Sequence, residues 1–346
     1  MLTESEIWPN FIRIAKKMGI PLFLINARVS DRSAPRYKAA RWFFGEVLSC
    51  FTRIFAQSDL DKARLVAAGA PEDKVEVTGS FKFDVARRNE AKERELLAWI
   101  CGGETPPPQE RTTGGGGVPP PRILLGGSTW PGEDEVLLKI YKRLLETQTL
   151  NNSKTQTLLV IAPRHFEKAD AVEVNIRKHG FACIRRSRGD KVKVRGEGGQ
   201  RKELNSTVDL NLQPQPVYLA DTTGELMGLY GIADVVFVGK SLCAHGSQNM
   251  IEPCLCGKPT LVGPYTENFR PVMSDLLASD AIIQVKDAED LEERIVELFG
   301  SSDLRGRDAP APCNSQALQL GERAKAAVEK RLGVVAKCVS EIRGAL

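Results

Sequence analysis

Short apolar runs of strand length recur along this chain, and each is separated from the next by a stretch with helical spacing. Ile20-Pro-Leu-Phe-Leu-Ile25, Arg53-Ile-Phe-Ala-Gln57 and Val75-Glu-Val-Thr78 are the first three such runs. Continuous apolar runs this short suit strands buried on both faces, as in a parallel sheet. Between them fall a helix from Pro9 to Met18 closed by Gly19, a basic, aromatic helix from about Arg36 to Thr52, and a helix from Leu60 to Ala68 that Ser58 caps and Gly69 closes. The rhythm returns at Arg122-Ile-Leu-Leu-Gly126, Thr157–Ala162, Phe181–Ile184, Val217–Ala220, Asp234–Gly239 and Pro259–Gly263. Its intervening helices fall near Glu133–Leu145, Ala169–His179, Gly224–Tyr230 and Asn249–Cys256, with a largely helical end from Leu318 to Leu346. This alternation predicts the α/β class: two Rossmann-like, doubly wound domains in tandem, with ligands in the crevice at the carboxyl ends of the strands.

Composition places the boundaries. Residues 101–121 are rich in Pro and Gly with almost nothing to bury, and 187–215 are polar throughout. The expected order is a partial first domain over 1–98, a flexible insertion over 99–121, a second domain over 122–325 carrying a flexible insertion at about 187–215, and a C-terminal helix over 326–346. With 346 residues, 42% of them hydrophobic, the chain can bury two cores. A net charge of +4 is too weak to argue for nucleic acid. The eight cysteines are scattered without a C-x-x-C pair, so they read as free thiols and no metal set is assigned. No apolar run approaches the roughly 20 residues that cross a bilayer.

Several strand ends carry groups suited to an anionic ligand. Gly246-Ser247-Gln-Asn249-Met250-Ile251-Glu252 follows a strand and opens a helix, where N–H groups and the helix dipole favour negative charge. Glu252 fits two roles, capping that helix or accepting hydrogen bonds from ribose hydroxyls. Asp221-Thr-Thr223-Gly224-Glu225 is either a capping box or a set of amides and hydroxyls facing a nucleotide. Arg164, between Pro163 and His165 at a strand's carboxyl end, has the planar fork that suits phosphate or carboxylate. His165 is more simply a structural hydrogen-bonder than a base. In Gly79-Ser-Phe-Lys82-Phe-Asp84, Lys82 is either a solvated linker residue or a neutraliser of a donor's acidic group. Gly126-Gly-Ser128-Thr129 is a weaker phosphate-loop candidate. Glu4 and Glu6 flank a helix start beside Trp8, where acids complement the dipole, and Asn26-Ala-Arg28 follows a strand.

Taken in order, the motifs E-x-E-x-W-P-N, N-A-R-x-S, G-S-x-K-F-D, G-S-T, P-R-H, D-T-x-G-E-L, Y-G-I-A-D-x-x-F-V-G and N-x-x-E resemble those of the 3-deoxy-D-manno-octulosonic acid (Kdo) transferase family, from about Glu4 to at least Phe269. The resemblance implies a GT-B glycosyltransferase, inverting and metal-independent, with no cofactor. It implies CMP-Kdo as donor and a tetraacylated lipid A precursor as acceptor, met by peripheral contact at the cytoplasmic face of the bacterial inner membrane. Carried over by motif, Pro163, Arg164, Thr223, Gly224, Glu225, Asn249, Met250, Ile251 and Glu252 would hold CMP. Glu4, or Glu6 in its place, and Lys82 would stabilise the charge that develops on the departing phosphate. Arg28, Ser128 and Ser247 are further candidates.

The sequence departs from the family in two places. Family members carry a membrane-proximal segment before E-x-E-x-W-P-N, with a Gly-rich loop whose glutamate is taken as the general base. This sequence opens at the motif itself, which implies a fragment, a late start or a lost base, and a first sheet with an exposed edge. Ser241–Asn249 also departs from the usual G-G-H-N pattern, and the shifted His245 receives no catalytic role. Two rival readings follow: a GT-B enzyme using a UDP-sugar, and a catalytically inactive CMP-sugar-binding fragment or scaffold that lacks the general base.

Overall fold

A computed structural model describes residues 1–84, 88–101, 121–150, 156–189, 192–193, 208–209, 215–300 and 315–345. The chain divides into two compact units, residues 1–86 with 330–346, and residues 87–329.

The first unit is built from β1 (Leu2–Thr3), α1 (Pro9–Lys17), β2 (Phe23–Ala27), α2 (Ala34–Ala39), α3 (Arg41–Ser49), β3 (Arg53–Ala56), α4 (Asp59–Ala67) and β4 (Val75–Val77). Its strands lie parallel in the order β1-β2-β3-β4. Each strand pairs with its successor, so right-handed crossovers return over the same face. On that face Ile12 and Ala15 of α1, Val47 and Leu48 of α3, and Leu65 of α4 pack on Leu24 and Ile54. The other face, Phe23 and Phe55, needs a separate cover because strand side chains alternate. Val334 and Cys338 supply it, from the last helix of the chain, Val334–Gly344. Asp84 anchors the start of that helix, accepting the N–H groups of Gly333 at 2.7 Å and Val335 at 2.6 Å.

The second unit holds α5 (Glu90–Cys101), β5 (Arg122–Thr129), α6 (Glu133–Leu150), β6 (Thr157–Pro163), α7 (Ala169–Lys178), β7 (Cys183–Arg185), β8 (Val192–Lys193), β9 (Val208–Asp209), β10 (Val217–Leu219), α8 (Leu226–Ile232), β11 (Val235–Val238), α9 (Ile251–Leu255), β12 (Thr260–Val262), α10 (Arg270–Ala278), β13 (Ile283–Gln284), α11 (Ala288–Gly300) and α12 (Ser315–Glu329). The helix that returns to the first unit is therefore α13. Seven strands form one parallel sheet in the order β13-β12-β11-β5-β6-β10-β7, and β8 pairs with β9 apart from it. The chain starts the sheet at β5, builds outward to β7, and then returns to the other side of β5 with β11. The strand order thus reverses between β5 and β11, where open α/β sheets place their ligands. Leu124, Leu159, Leu219 and Phe237 line a core with Leu137 and Tyr141 of α6 and Ile176 of α7.

The boundary expected after residue 98 falls instead at 86/87. The cause is α5, which packs into the second unit: Trp99 meets the Tyr218 ring edge-on at 5.4 Å, and the Tyr218 hydroxyl donates to the Ile100 carbonyl at 2.7 Å. The C-terminal segment expected as one helix over 326–346 is two helices broken at Gly333, whose φ of 87° is left-handed. The basic segment from Arg36 to Thr52 likewise divides into α2 and α3 at Ala40. Of the two expected insertions, 102–120 and most of 187–215 lie outside the described residues.

Phe55 is fully buried between the sheet and α13. Phe55→Ala is expected to lower the unfolding free energy of the first unit by about 3–5 kcal/mol. Leu332→Ala, at an exposed position, is expected to change it by less than about 0.5 kcal/mol. Urea unfolding of the two variants checks the contrast.

Candidate functional site

In the first unit the carboxyl edge of the sheet gathers charge. The Glu4 N–H donates to the Ile25 carbonyl at 3.0 Å, which continues the β1–β2 pairing one residue past the strand. Glu4 and Asn26 both take left-handed backbone conformations, φ 55° and 52°. Such values in residues other than glycine cost energy and concentrate at functional sites. Asn26 is buried, and both ends of its side-chain amide and its carbonyl bond to neighbouring turns. Its Nδ2 donates to Glu4 Oε1 at 3.4 Å, its Oδ1 accepts the Phe81 N–H at 3.1 Å, and its carbonyl accepts Gln57 Nε2 at 2.9 Å. One amide side chain therefore ties the Glu4 turn to the turn Phe81–Phe83 that carries Lys82.

Lys82 is half-buried, and its amine is pushed below the usual lysine range by burial and by the Arg28 guanidinium, while Glu4 pulls it back. Glu4, Arg28 and Lys82 thus share one electrostatic cluster. Glu6 is exposed on the turn that follows, so the backbone carries Glu4 rather than Glu6 into that cluster. Asn26 stood in the N-A-R-x-S motif without a role of its own; its signal is its place one residue past a buried strand run, where a side chain that tolerates positive φ is needed.

In the second unit the remaining candidates fall on the carboxyl ends of neighbouring strands. Arg164 follows β6, is exposed, and is fixed through its N–H to the Thr129 carbonyl at 3.0 Å. His165 Nδ1 lies 3.0 Å from Glu167 Oε1, and its ring meets Trp130 edge-on. After β10, the loop Asp221–Glu225 is clamped at both ends by consecutive arginines from the end of β7. Arg185 pairs with Asp221, and Arg186 reaches Glu225 with Nε at 3.1 Å and Nη2 at 3.0 Å. Lys92 adds a third contact to Glu225 at 2.7 Å, and the Thr222 hydroxyl a fourth. Thr223 and Gly224 stay exposed at the crown of this loop, while the Glu225 carboxylate is buried and engaged. Glu225 therefore acts on a ligand by shaping the loop, and Thr223 and Gly224 offer the open groups. Neither arginine was singled out in the sequence, because an R-R pair in a polar stretch reads as a solvated face.

After β11, Asn249 lies just before the N-cap Met250 of α9, its Oδ1 accepting the Ile251 N–H at 3.1 Å and its Nδ2 donating to Glu252 Oε1 at 3.0 Å. Both readings of Glu252 thus keep support: it sits in the first turn, with its carboxyl pushed up by burial and only partly restored by Asn249. Met250 and Ile251 are wholly buried, so they contribute packing and backbone. Ser128 and Ser247 are buried too, with φ of 53° and 61°. His245 is exposed, with Nδ1 2.8 Å from Glu267 Oε1 and its ring on Tyr265.

Two expected outcomes follow. Burial raises the Glu225 carboxyl, but Arg186, Lys92 and Thr222 outweigh it and hold it at about 2, below its ordinary 4.5. A depressed carboxylate contributes its full stability above its unfolded value and loses it as pH falls through the folded one. Thermal melting is therefore expected to lose stability between pH 4.5 and about 2, and Glu225→Gln to show a shallower acid limb there. In the first unit, Glu4→Gln removes the charge that raises Lys82, so the Lys82 amine is expected to titrate lower still. The 13C resonance of the reductively methylated lysine, followed against pH, reads that shift.

A family model described as 3-Deoxy-D-manno-octulosonic-acid transferase (kdotransferase) matches residues 1–85. The chain is 32% identical over 309 residues to the 3-deoxy-D-manno-octulosonic acid transferase of Haemophilus influenzae, covering 89% of this chain and 63% of that protein. It is 33% identical over 291 residues to the protein of the same description from Bordetella pertussis, covering 83% and 58% respectively. The chain thus spans about three fifths of the length of these relatives. Among solved structures it resembles the C-terminal CMP-Kdo binding domain of WaaA from Acinetobacter baumannii, with TM-score 0.50, 21% identity, and coverage of 70% of this chain and 100% of that one. It also resembles an alpha,alpha-trehalose-phosphate synthase (UDP-forming) from Burkholderia vietnamiensis, with TM-score 0.50, 11% identity, and coverage of 99% and 73%. These likenesses show the fold, two parallel-sheet α/β domains of the GT-B class.

Proposed function

Because the chain belongs to the 3-deoxy-D-manno-octulosonic acid transferase family, we propose that it transfers Kdo from CMP-Kdo to a lipid A precursor, with inversion and without a metal ion. The observation that carries this reading is the gathering of Arg164, the exposed Thr223-Gly224 crown and Glu252 on the carboxyl ends of β6, β10 and β11, within four neighbouring strands of one sheet. In this reading the three elements hold the nucleotide, with the guanidinium on the phosphate and the loop and carboxyl on the nucleoside. The bond from the sugar's anomeric carbon to the CMP phosphate breaks, and its electron pair leaves with CMP. An acceptor hydroxyl forms the new bond on the opposite face and gives up its proton to a base.

Negative charge grows on the phosphate as that bond breaks, and the sugar brings a carboxylate of its own. Arg28 and Lys82, which share an electrostatic environment with Glu4 in the first unit, are cations of the kind that stabilise such charge more in the transition state than in the ground state. A lipid acceptor places the reaction at a membrane surface, for which we propose the cytoplasmic face of the inner membrane. Exposed Trp8, Phe11 and Trp42 in the first unit, at 62%, 55% and 81% exposure, support peripheral contact there. No helix among the described residues is long and apolar enough to cross a membrane.

The test is transfer by the full chain from CMP-Kdo to a tetraacylated lipid A precursor, followed by mass spectrometry. Product is expected with the inverted anomeric configuration by NMR, undiminished by EDTA, and about 100- to 1000-fold slower in Lys82→Ala. A folded chain that binds CMP yet makes no product would replace this reading with the inactive CMP-sugar-binding one.

A further inference from the structure

Glu133 joins two loops at the carboxyl edge of the second sheet. It opens α6 just after β5 and is 0% exposed. Its Oε2 accepts the N–H groups of Trp130 at 2.7 Å and Lys240 at 2.8 Å. Its Oε1 accepts those of Ser241 at 3.1 Å, Leu242 at 3.0 Å and Cys243 at 3.4 Å. The bond to Trp130 is ordinary helix capping, since the Glu133 N–H returns to the Trp130 carbonyl at 3.0 Å. Capping does not account for the other four donors, which lie 107 to 110 residues further along the chain. Successive N–H groups turned toward one centre form a nest, the backbone concavity that proteins use to hold anions. Here a side chain of the protein fills it.

The surroundings are built for this contact. Lys240 and Ser128 are both left-handed, φ 55° and 53°. A Cβ on Gly239 would lie 2.3 Å from the Ser128 carbonyl oxygen, so only glycine lets the two strand ends approach. These strands, β5 and β11, are the pair at which strand order reverses. The held loop runs on to the nucleotide candidates: the Ser247 N–H donates to the Lys240 carbonyl at 2.7 Å, and the Gln248 N–H to the Gly239 carbonyl at 3.1 Å. Asn249 and Glu252 follow directly.

We propose that Glu133 is a positioning residue of the nucleotide site. Its carboxylate occupies the anion nest of residues 240–243 and sets the loop that presents Asn249 and Glu252. The inference rests on the reading of that edge as the CMP site. It also assigns the nest: the amides of 240–243 are closed to the donor phosphate, which must be met by other groups such as Arg164.

Glu133→Gln tests this in the full chain, because it keeps the shape and exchanges one oxygen for an NH2 group that cannot accept. Either two or three of the five donors then lose their acceptor. Hydrogen exchange without ligand is expected to quicken in peptides covering 240–248 while those of β6 and β10 stay as in the wild type. The CMP dissociation constant, measured well below the melting temperature, is expected to rise about 10- to 100-fold. Glu133→Asp keeps the charge but retracts it, and is expected to fall between the two. It serves as the measured variant if the amide does not fold. A role in stability alone would lower the melting temperature and leave the CMP affinity of the folded protein unchanged, and that result overturns the proposal. So does unaltered exchange at 240–248. A wild-type chain that does not bind CMP removes the nucleotide reading and the positioning role with it, whereas the exchange result still shows whether Glu133 fixes the loop.

Discussion

In a parallel sheet each strand must be followed by a crossover that returns over one face, and both faces end up covered. The two units of this chain meet that requirement differently. In the second, the strand order reverses between β5 and β11, and helices fall on both faces as a consequence. In the first, the order β1-β2-β3-β4 sends its crossovers over one face only. Among the described residues the opposite face, with Phe23 and Phe55, is covered by α13 as the chain comes back at its end, with Phe81 packed beside it. A helix remote in sequence is thus as necessary to the first unit as any of its own crossovers.

Parallel order also fixes where chemistry can occur. All strands of a sheet end on the same edge, so the loops that follow them converge whatever their distance in sequence. Arg164 after β6, Thr223 and Gly224 after β10, and Glu252 beyond β11 share one edge of the sheet for this reason. Glu4, Arg28 and Lys82 gather on the first unit's sheet in the same way. What the loops then need is shape, and buried or half-buried polar groups supply it: Asn26 beneath Glu4 and the Lys82 turn, Arg185 and Arg186 at the ends of the Asp221–Glu225 loop, and Glu133 beneath the loop after β11.

The strands and the fold class could be read from the sequence because runs such as Thr157–Ala162 are apolar on both faces and too short to be helices. The site candidates could be read because they stand at the ends of those runs. The domain boundary could not: nothing in Glu90–Cys101 says that Trp99 packs against Tyr218 rather than against the preceding unit. The shaping residues were missed for a related reason. Glu133 has the local signature of an acid capping its own helix, and the four amides that explain its burial lie more than a hundred residues away. Asn26 and the Arg185-Arg186 pair likewise declare themselves only through partners in other loops.

The proposed transfer requires a nucleotide site at the carboxyl edge of the second sheet that prefers cytidine monophosphate. Calorimetric titration of the purified chain with CMP, and with UMP as the comparison, measures this most directly. Saturable binding of CMP, weaker binding of UMP, and loss of the CMP signal in both Arg164→Ala and Glu252→Ala are expected. A folded wild-type chain that binds neither nucleotide, or binds UMP as tightly as CMP, would contradict the proposed transfer.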